Sequence, residues 1–269
     1  MLQGLEGTQV NSCRTSSIPL AEFWQPANLG KIKKVFAPHL KDFDPVSAQK
    51  FFEFSTEATF KGRRIGSPSV TDIMVLNPGI QMAIEGKFTE YIRPKEPTIR
   101  KWMAQKLAED VGDKWTPGSR SAYLHNVLKA WVGIIRDAGC TGIEDDETFF
   151  AECMGVQYQF LHRSASACHK AGVATDTTPV LVYQVFFDAK NDESKVGMER
   201  FKADLRRWAA ALRLKNMKFF IMTVPITNAP EVKSRFRGVR SGYFKLMRDE
   251  TIYEFDFDGI MIDTIVDVK

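Results

Sequence analysis

The strongest apolar runs of the chain lie in its second half. Pro179-Val-Leu-Val-Tyr-Gln-Val-Phe-Phe is β-branched, aromatic and uncharged, the composition of a strand buried on both faces. Phe219-Phe-Ile-Met-Thr-Val-Pro-Ile repeats that composition. Between them, residues 195–213 set apolar side chains at helical spacing with charges opposite, which predicts an amphipathic helix. Strand, helix, strand with both strands apolar implies a right-handed crossover in a parallel or mixed sheet. Upstream, residues 70–76 and 80–92 are two apolar runs joined by Asn77-Pro78-Gly79, the pattern of an antiparallel pair.

The segment 44–60 opens on Asp44-Pro-Val-Ser and then places Phe51, Phe54 and Ala58 at helical spacing, predicting a helix of about four turns. Residues 98–110 and 119–137 also read as helices. Residues 144–170 read as one long helix whose acidic opening, Glu144-Asp-Asp-Glu147, suits the positive pole of a helix. Residues 251–268 alternate well enough for one or two edge strands. The sum is an α/β protein with a mixed central sheet flanked by helices. Residues 1–40 form an N-terminal extension, and 41–269 a single domain carrying a helical insertion at about 98–170.

Composition narrows the class. The chain has 269 residues, 44% hydrophobic and 26% charged, so a disordered, collagen-like or disulfide-stapled miniprotein is excluded. The first residues carry neither a basic region nor an apolar run, and no uncharged stretch approaches the ~18 residues of a membrane span. Cys13, Cys140, Cys153 and Cys168 are scattered, and His162 and His169 beside Cys168 lack the second ligand pair of a zinc site. Reduced buried thiols in a cytoplasmic protein are expected. The net charge of +4 permits a polyanionic partner without announcing one.

The chemistry concentrates in Thr71-Asp72-Ile-Met-Val-Leu-Asn-Pro-Gly-Ile-Gln-Met-Ala-Ile-Glu85-Gly86-Lys87. Period two sets Glu85 and Lys87 side by side on one strand face, with Gly86 turned away. The short hairpin folds the start of the first strand beside the end of the second, so Asp72 comes next to Glu85. Two carboxylates at the polar end of apolar strands make a hard-oxygen site suited to Mg²⁺ or Mn²⁺. The neighbouring lysine is placed to hold a water or to stabilise charge on a phosphate.

These residues resemble the metal half-site of the PD-(D/E)xK nuclease superfamily, whose restriction-endonuclease-like core runs α-β-β-β-α-β. The resemblance implies Asp72 as first acid, Glu85 as second, Lys87 as the lysine and the Gly86 carbonyl as a further metal ligand. Many members add a glutamate from the first helix, which would be Glu57. Ile84-Glu-Gly-Lys-Phe-Thr-Glu90 is similar to nucleases whose second motif continues Glu-x-Lys-Tyr/Phe-Thr/Ser-Glu, and Tyr158-Gln159-Phe-Leu161-His-Arg163 is similar to their later helical element. The likeness spans about residues 45–225, of which only about twenty are specific. Thr71 stands where the pattern has proline. Only two strands are visible where the core has three, and the missing one is expected near Phe60-Lys-Gly-Arg-Arg-Ile-Gly-Ser67.

Two basic segments bear on a nucleic-acid partner. Lys61-Gly-Arg63-Arg64 lies close in sequence to Asp72. Lys233, Arg235, Arg237, Arg240, Lys245 and Arg248 interleave with Phe236, Tyr243 and Phe244. Such a segment tracks a phosphate backbone and offers stacking faces, or is a solvated loop balanced by the acidic residues that follow. Gln159 and Arg163 join Arg63 and Arg64 as candidate contacts. The expectation is a Mg²⁺- or Mn²⁺-dependent nuclease hydrolysing DNA phosphodiesters through Asp72, Glu85 and Lys87, with Glu57 completing the metal shell. The alternative is a catalytically silent nuclease-like module that binds nucleic acid or protein. The helical stretch 98–170 would shape a substrate groove or a homodimer contact.

Overall fold

The computed structural model describes residues 16–92, 96–109, 116–169, 177–235 and 251–267. In chain order, α1 (Ser17–Phe23) and α2 (Leu29–Phe36) precede β1 (Gln49–Thr56), a small hairpin of β2 (Thr59–Phe60) and β3 (Arg63–Arg64), and then β4 (Ser69–Asn77) and β5 (Ile80–Lys87). Four helices follow: α3 (Ile99–Ala108), α4 (Pro117–Asp137), α5 (Asp146–Glu152) and α6 (Tyr158–Cys168). The chain then runs β6 (Thr178–Asp188), α7 (Asp192–Ala211), β7 (Lys218–Ile226), α8 (Ala229–Arg235) and β8 (Met261–Val266).

One mixed sheet of six strands, ordered β1-β4-β5-β6-β7-β8, forms the centre. β4 is antiparallel to both of its neighbours, β5, β6 and β7 are mutually parallel, and β8 closes the far edge antiparallel to β7. The α7 connection between β6 and β7 is the expected crossover. β5 is buried along its whole length and β6 along all but its ends, as their continuous apolar runs require. Asn77 and Ile80 pair across Pro78-Gly79, with Gly79 at φ 73 supplying the left-handed residue of the turn.

Residues 49–56 form a strand where helical spacing predicts a helix. Phe51, Phe54 and Ala58 fit a 3.6 period, but Gln-Lys-Phe-Phe-Glu-Phe-Ser-Thr is also rich in aromatic and hydroxylated strand formers. The open edge of β4 decides the outcome, because its N–H and C=O groups gain partners from Gln49 to Thr56. β1 thus adds a third strand beside the β4–β5 pair, whereas in the stretch 60–67 β2 and β3 pair only with each other. The helix expected over 144–170 is two. It breaks at 153–157, where Thr98 forms an isolated bridge with Gln157 and Ile99 N–H donates to Val156 O at 2.8 Å.

The sheet separates two cores. On one face α3 to α7 cover Met74, Ala83, Leu181, Tyr183, Val185, Phe219 and Ile221. On the other, the helices of the first forty residues place Phe23, Trp24, Ile32 and Phe36 against Ile73, Ile84, Val182 and Phe220. α6 lies across β4, β5 and β6, and its C-terminal carbonyls are capped from the sheet. Gln81 Nε2 donates to Ser166 O at 3.1 Å, to Ala167 O at 3.0 Å and to His169 O. That capping accounts for a buried glutamine on a central strand. Cys140, Cys153 and Cys168 are free and buried; Cys13 lies outside the described residues. Among the described residues no helix is long and apolar enough to cross a membrane.

Candidate active site

The pairing of β4 with β5 runs from Asn77↔Ile80 to Ile73↔Ile84. One step further stand Asp72 and Glu85, on the sheet face that α6 covers. There the ladder ends and a side chain replaces it: Gly86 N–H donates to Asp72 Oδ2 at 2.8 Å. Gly86 faces the opposite core, where a Cβ would meet Leu20 Cδ2 and Ser16 Cβ at 3.1 Å, so glycine is what allows α1 to sit this close.

Glu85 is the centre of a closed ion network. Lys87 Nζ lies 2.9 Å from Glu85 Oε1, and Arg163 Nε donates to Glu85 Oε2. Lys87 Nζ also donates to Gln159 Oε1 at 2.8 Å. An ammonium has three protons, so one remains for a third acceptor. Gln159 and Arg163 stand four residues apart on α6, one turn, which is why a single helix reaches both ends of Glu85-x-Lys87.

Behind Arg163 lies a second layer that holds it. Arg163 Nη1 donates to Ser69 Oγ at 2.6 Å and to His162 Nδ1 at 3.2 Å. Ser69 Oγ lies 2.8 Å from His162 Nδ1, and Ser166 Oγ donates to Ser69 Oγ at 3.2 Å. A guanidinium only donates, so Nδ1 is the unprotonated nitrogen, Ser69 donates to it, and the imidazole proton sits on Nε2. Burial, with Arg163 and Lys87 close by, drives the His162 pKa well below its ordinary range, so it stays neutral.

The two carboxylates differ sharply in environment. Burial, and then the charge of Glu85, raises Asp72 to about 7 against the opposing pull of Arg163, Lys87 and the Gly86 N–H. Burial also works against charge on Glu85, but Arg163 and Lys87 outweigh it and hold that carboxyl below its usual range. On Lys87 burial is likewise outweighed, by Glu85 and Asp72, and the ammonium is held above its ordinary value. With both acids ionised, the two negative and two positive charges cancel.

Of the residues singled out by sequence, the fold brings together Asp72, Glu85, Gly86, Lys87, Gln159 and Arg163. Arg163 is turned inward onto Glu85 rather than toward solvent. Glu57 does not join them: it follows β1 rather than lying on a helix, half exposed and ion-paired to Arg64 at 2.8 Å. Arg63 and Arg64 are exposed on β3. Lys233 and Arg235 belong to α8, whereas Arg237 and Arg240 lie outside the described residues. Sequence reasoning missed Ser69, Ser166 and the role of His162; no motif marks a serine 93 residues from its histidine partner. It also missed Tyr183, the register partner of Glu85, whose buried hydroxyl has no hydrogen-bond partner among the described residues.

A family model described as a domain of unknown function, DUF6946, matches residues 5–232, most of the chain. The chain belongs to the DUF6946 family. The matched span of this DUF6946 chain contains every element from α1 to β7, and so the whole Asp72–Glu85–Lys87–Arg163 cluster. Neither the curated proteins nor the solved structures contain a match to it.

Proposed function

We propose that this DUF6946 protein is a divalent-metal-dependent nuclease, cleaving DNA phosphodiesters at the Asp72–Glu85–Lys87 cluster. The observation that carries the reading is the register. Asp72 and Glu85 face each other one step beyond Ile73↔Ile84, with Lys87 on the same face of β5. The order around them, helix, β1, β4, β5, helices, β6, is that expected of a restriction-endonuclease-like core.

The donor chemistry fits Mg²⁺ or Mn²⁺. Among the described residues no group of three or more His, Cys, Asp and Glu converges, but Mg²⁺ is commonly held by one or two carboxylates with water and substrate phosphate completing its shell. Asp72 Oδ1 accepts no hydrogen bond from a described residue, while Oδ2 takes the Gly86 N–H. Asp72 and Glu85 would hold the ion, which when bound supplies Lewis-acid stabilisation of charge on the phosphate. Lys87 remains protonated at neutral pH, so it acts as an electrostatic partner and not as a base. Its third N–H meets no acceptor among the described residues and is available to a water or a phosphoryl oxygen. Gln159 and Glu85 fix its direction, and Ser69 and His162 fix Arg163, which in turn fixes Glu85.

A second reading, a catalytically silent nuclease-like binding module, is favoured by one observation: both oxygens of Glu85 are already engaged by cations. Digestion of plasmid and linear DNA with Mg²⁺ or Mn²⁺ separates the two. The nuclease reading expects cleavage that is lost in both Glu85→Ala and Lys87→Ala. Cleavage unchanged in both variants would sink it, and absence of cleavage together with no calorimetric Mn²⁺ binding would favour the silent module.

A further inference from the structure

We infer that the β2–β3 hairpin is a rigid cationic arm that grips the backbone of duplex DNA within about eight nucleotides of the bond held at Asp72 and Glu85. This deepens the nuclease reading and rests on it for the identity of the ligand.

The hairpin is rigid, and one of its faces is seated on the helical layer. Lys61 and Gly62 have φ 51 and 74, the two left-handed residues of a type I′ turn, whose twist matches that of the strands it joins. A two-residue loop of this kind leaves the tip little freedom. The base is anchored on the helical layer: Ala58 is buried, Phe60 and Ile65 pack against the core, and Gly66 N–H donates to Tyr123 Oη at 3.0 Å. Gly66 has φ 71 and sits where a Cβ would lie 3.1 Å from Val127 Cγ1, so the arm leaves α4 at a defined place.

The tip carries the charge. Lys61, Arg63 and Arg64 are all exposed. Lys61 Nζ lies 5.6 Å from the Phe60 ring centre, Arg64 is paired with Glu57, and Arg63 has no acidic partner among the described residues. Phe60↔Arg63 and Thr59↔Arg64 are the register pairs, so Arg63 and Arg64 point to opposite faces of the ribbon. Register partners share a face, so Arg63 lies on the side of Phe60, which packs against the helical layer, and Arg64 on the outer side with Thr59; both side chains are exposed, and with Lys61 they line the rim of the hairpin.

Its position connects this charge to the site. The arm springs from the last pair of β1 and β4, Thr56↔Ser69, and Ser69 is the residue that holds Arg163 on Glu85. Lys61 is five residues from Thr56, so at ~3.3 Å per strand residue the tip stands at most about 17 Å from the Thr56↔Ser69 pair, and Asp72 lies three strand residues, about 10 Å, beyond that pair along β4. With a rise of about 3.4 Å per nucleotide, the tip is within about eight nucleotides of the bond at the site.

The test measures binding of a short duplex oligonucleotide as a function of salt, with EDTA present so that nothing is cut. The wild type is compared with the triple variant Lys61→Ala, Arg63→Ala, Arg64→Ala and with the charge-keeping Arg63→Lys, Arg64→Lys. Removing the cation from one phosphate flattens the log-affinity against log-salt slope by about 0.9, so the slope of the triple variant should be shallower by about two to three units while the lysine variant keeps that of the wild type. Hydrolysis of bis(p-nitrophenyl) phosphate, too small to reach the arm, should be the same in all three proteins. A triple variant with wild-type affinity and slope overturns the arm even if the wild type cleaves DNA, as does a wild type that binds no duplex. A wild type that binds with this slope but hydrolyses neither substrate leaves the arm standing and refutes the nuclease reading.

Discussion

Replacing Arg163 by methionine removes one of two cations from Glu85 while nearly preserving side-chain volume. The Glu85 side chain is 2% exposed and that of Arg163 8%, so neither charge is rescued by solvent. Removing one partner of a buried ion pair costs about 3–5 kcal/mol, because the survivor is left charged and unpaired. Lys87 still holds Glu85 Oε1 at 2.9 Å, and Ser69 still receives the Ser166 hydroxyl, so the loss should fall at the lower end, about 3 kcal/mol. Urea unfolding at pH 7.5, followed by tryptophan fluorescence, should show the midpoint lowered by about 1 M with an unchanged slope. In a Glu85→Gln background the same substitution should cost at least about 2 kcal/mol less, since the stranded charge is gone. A loss below about 1 kcal/mol, or an equal loss in both backgrounds, would mean that the Arg163–Glu85 pair is not closed and that Arg163 does not position the carboxylate.

Two further outcomes follow from buried polar groups outside the reaction itself. Glu22 on α1 accepts from Ile252 N–H and Tyr253 N–H at 2.8 Å each, and burial, against those two bonds, raises it to about 7. Its folded pKa exceeds the unfolded value, so the folded state binds the extra proton. The stability from this group is therefore full below about pH 4.5 and is lost as pH rises to about 7. Relative to Glu22→Gln, the wild type should lose up to about 3 kcal/mol between those limits and then level off; a flat or rising difference refutes it. Gln81→Leu leaves the last carbonyls of α6 without their donor and should cost about 2 kcal/mol, read as faster amide exchange over residues 164–169. Unchanged protection there would show that the cap is not what holds the helix end.

The α/β class, the two strands β6 and β7 with their crossover helix, and the β4–β5 pair are legible from the chain alone. In each case one local pattern has one solution: continuous apolar runs of strand length, a 3.6-period stretch between two of them, and Asn-Pro-Gly where the chain must reverse. The juxtaposition of Asp72, Glu85 and Lys87 belongs with these, because a tight hairpin converts sequence offset directly into register. Tertiary structure decided what local pattern left degenerate. Residues 49–56 satisfy both periods, and the unpaired edge of β4 made them a strand, which removed Glu57 from the helix it was expected to occupy. The inward turn of Arg163, its support by Ser69 and His162, and the pairing of both Glu85 oxygens all depend on α6 lying across β4 and β5. Contacts 78 to 94 residues apart in the chain carry that arrangement, and no periodicity reports them. The site's residue types were therefore written in the sequence, whereas its charge balance was settled by packing, since an inward-facing arginine is favourable only where a buried carboxylate oxygen and hydroxyl acceptors meet it.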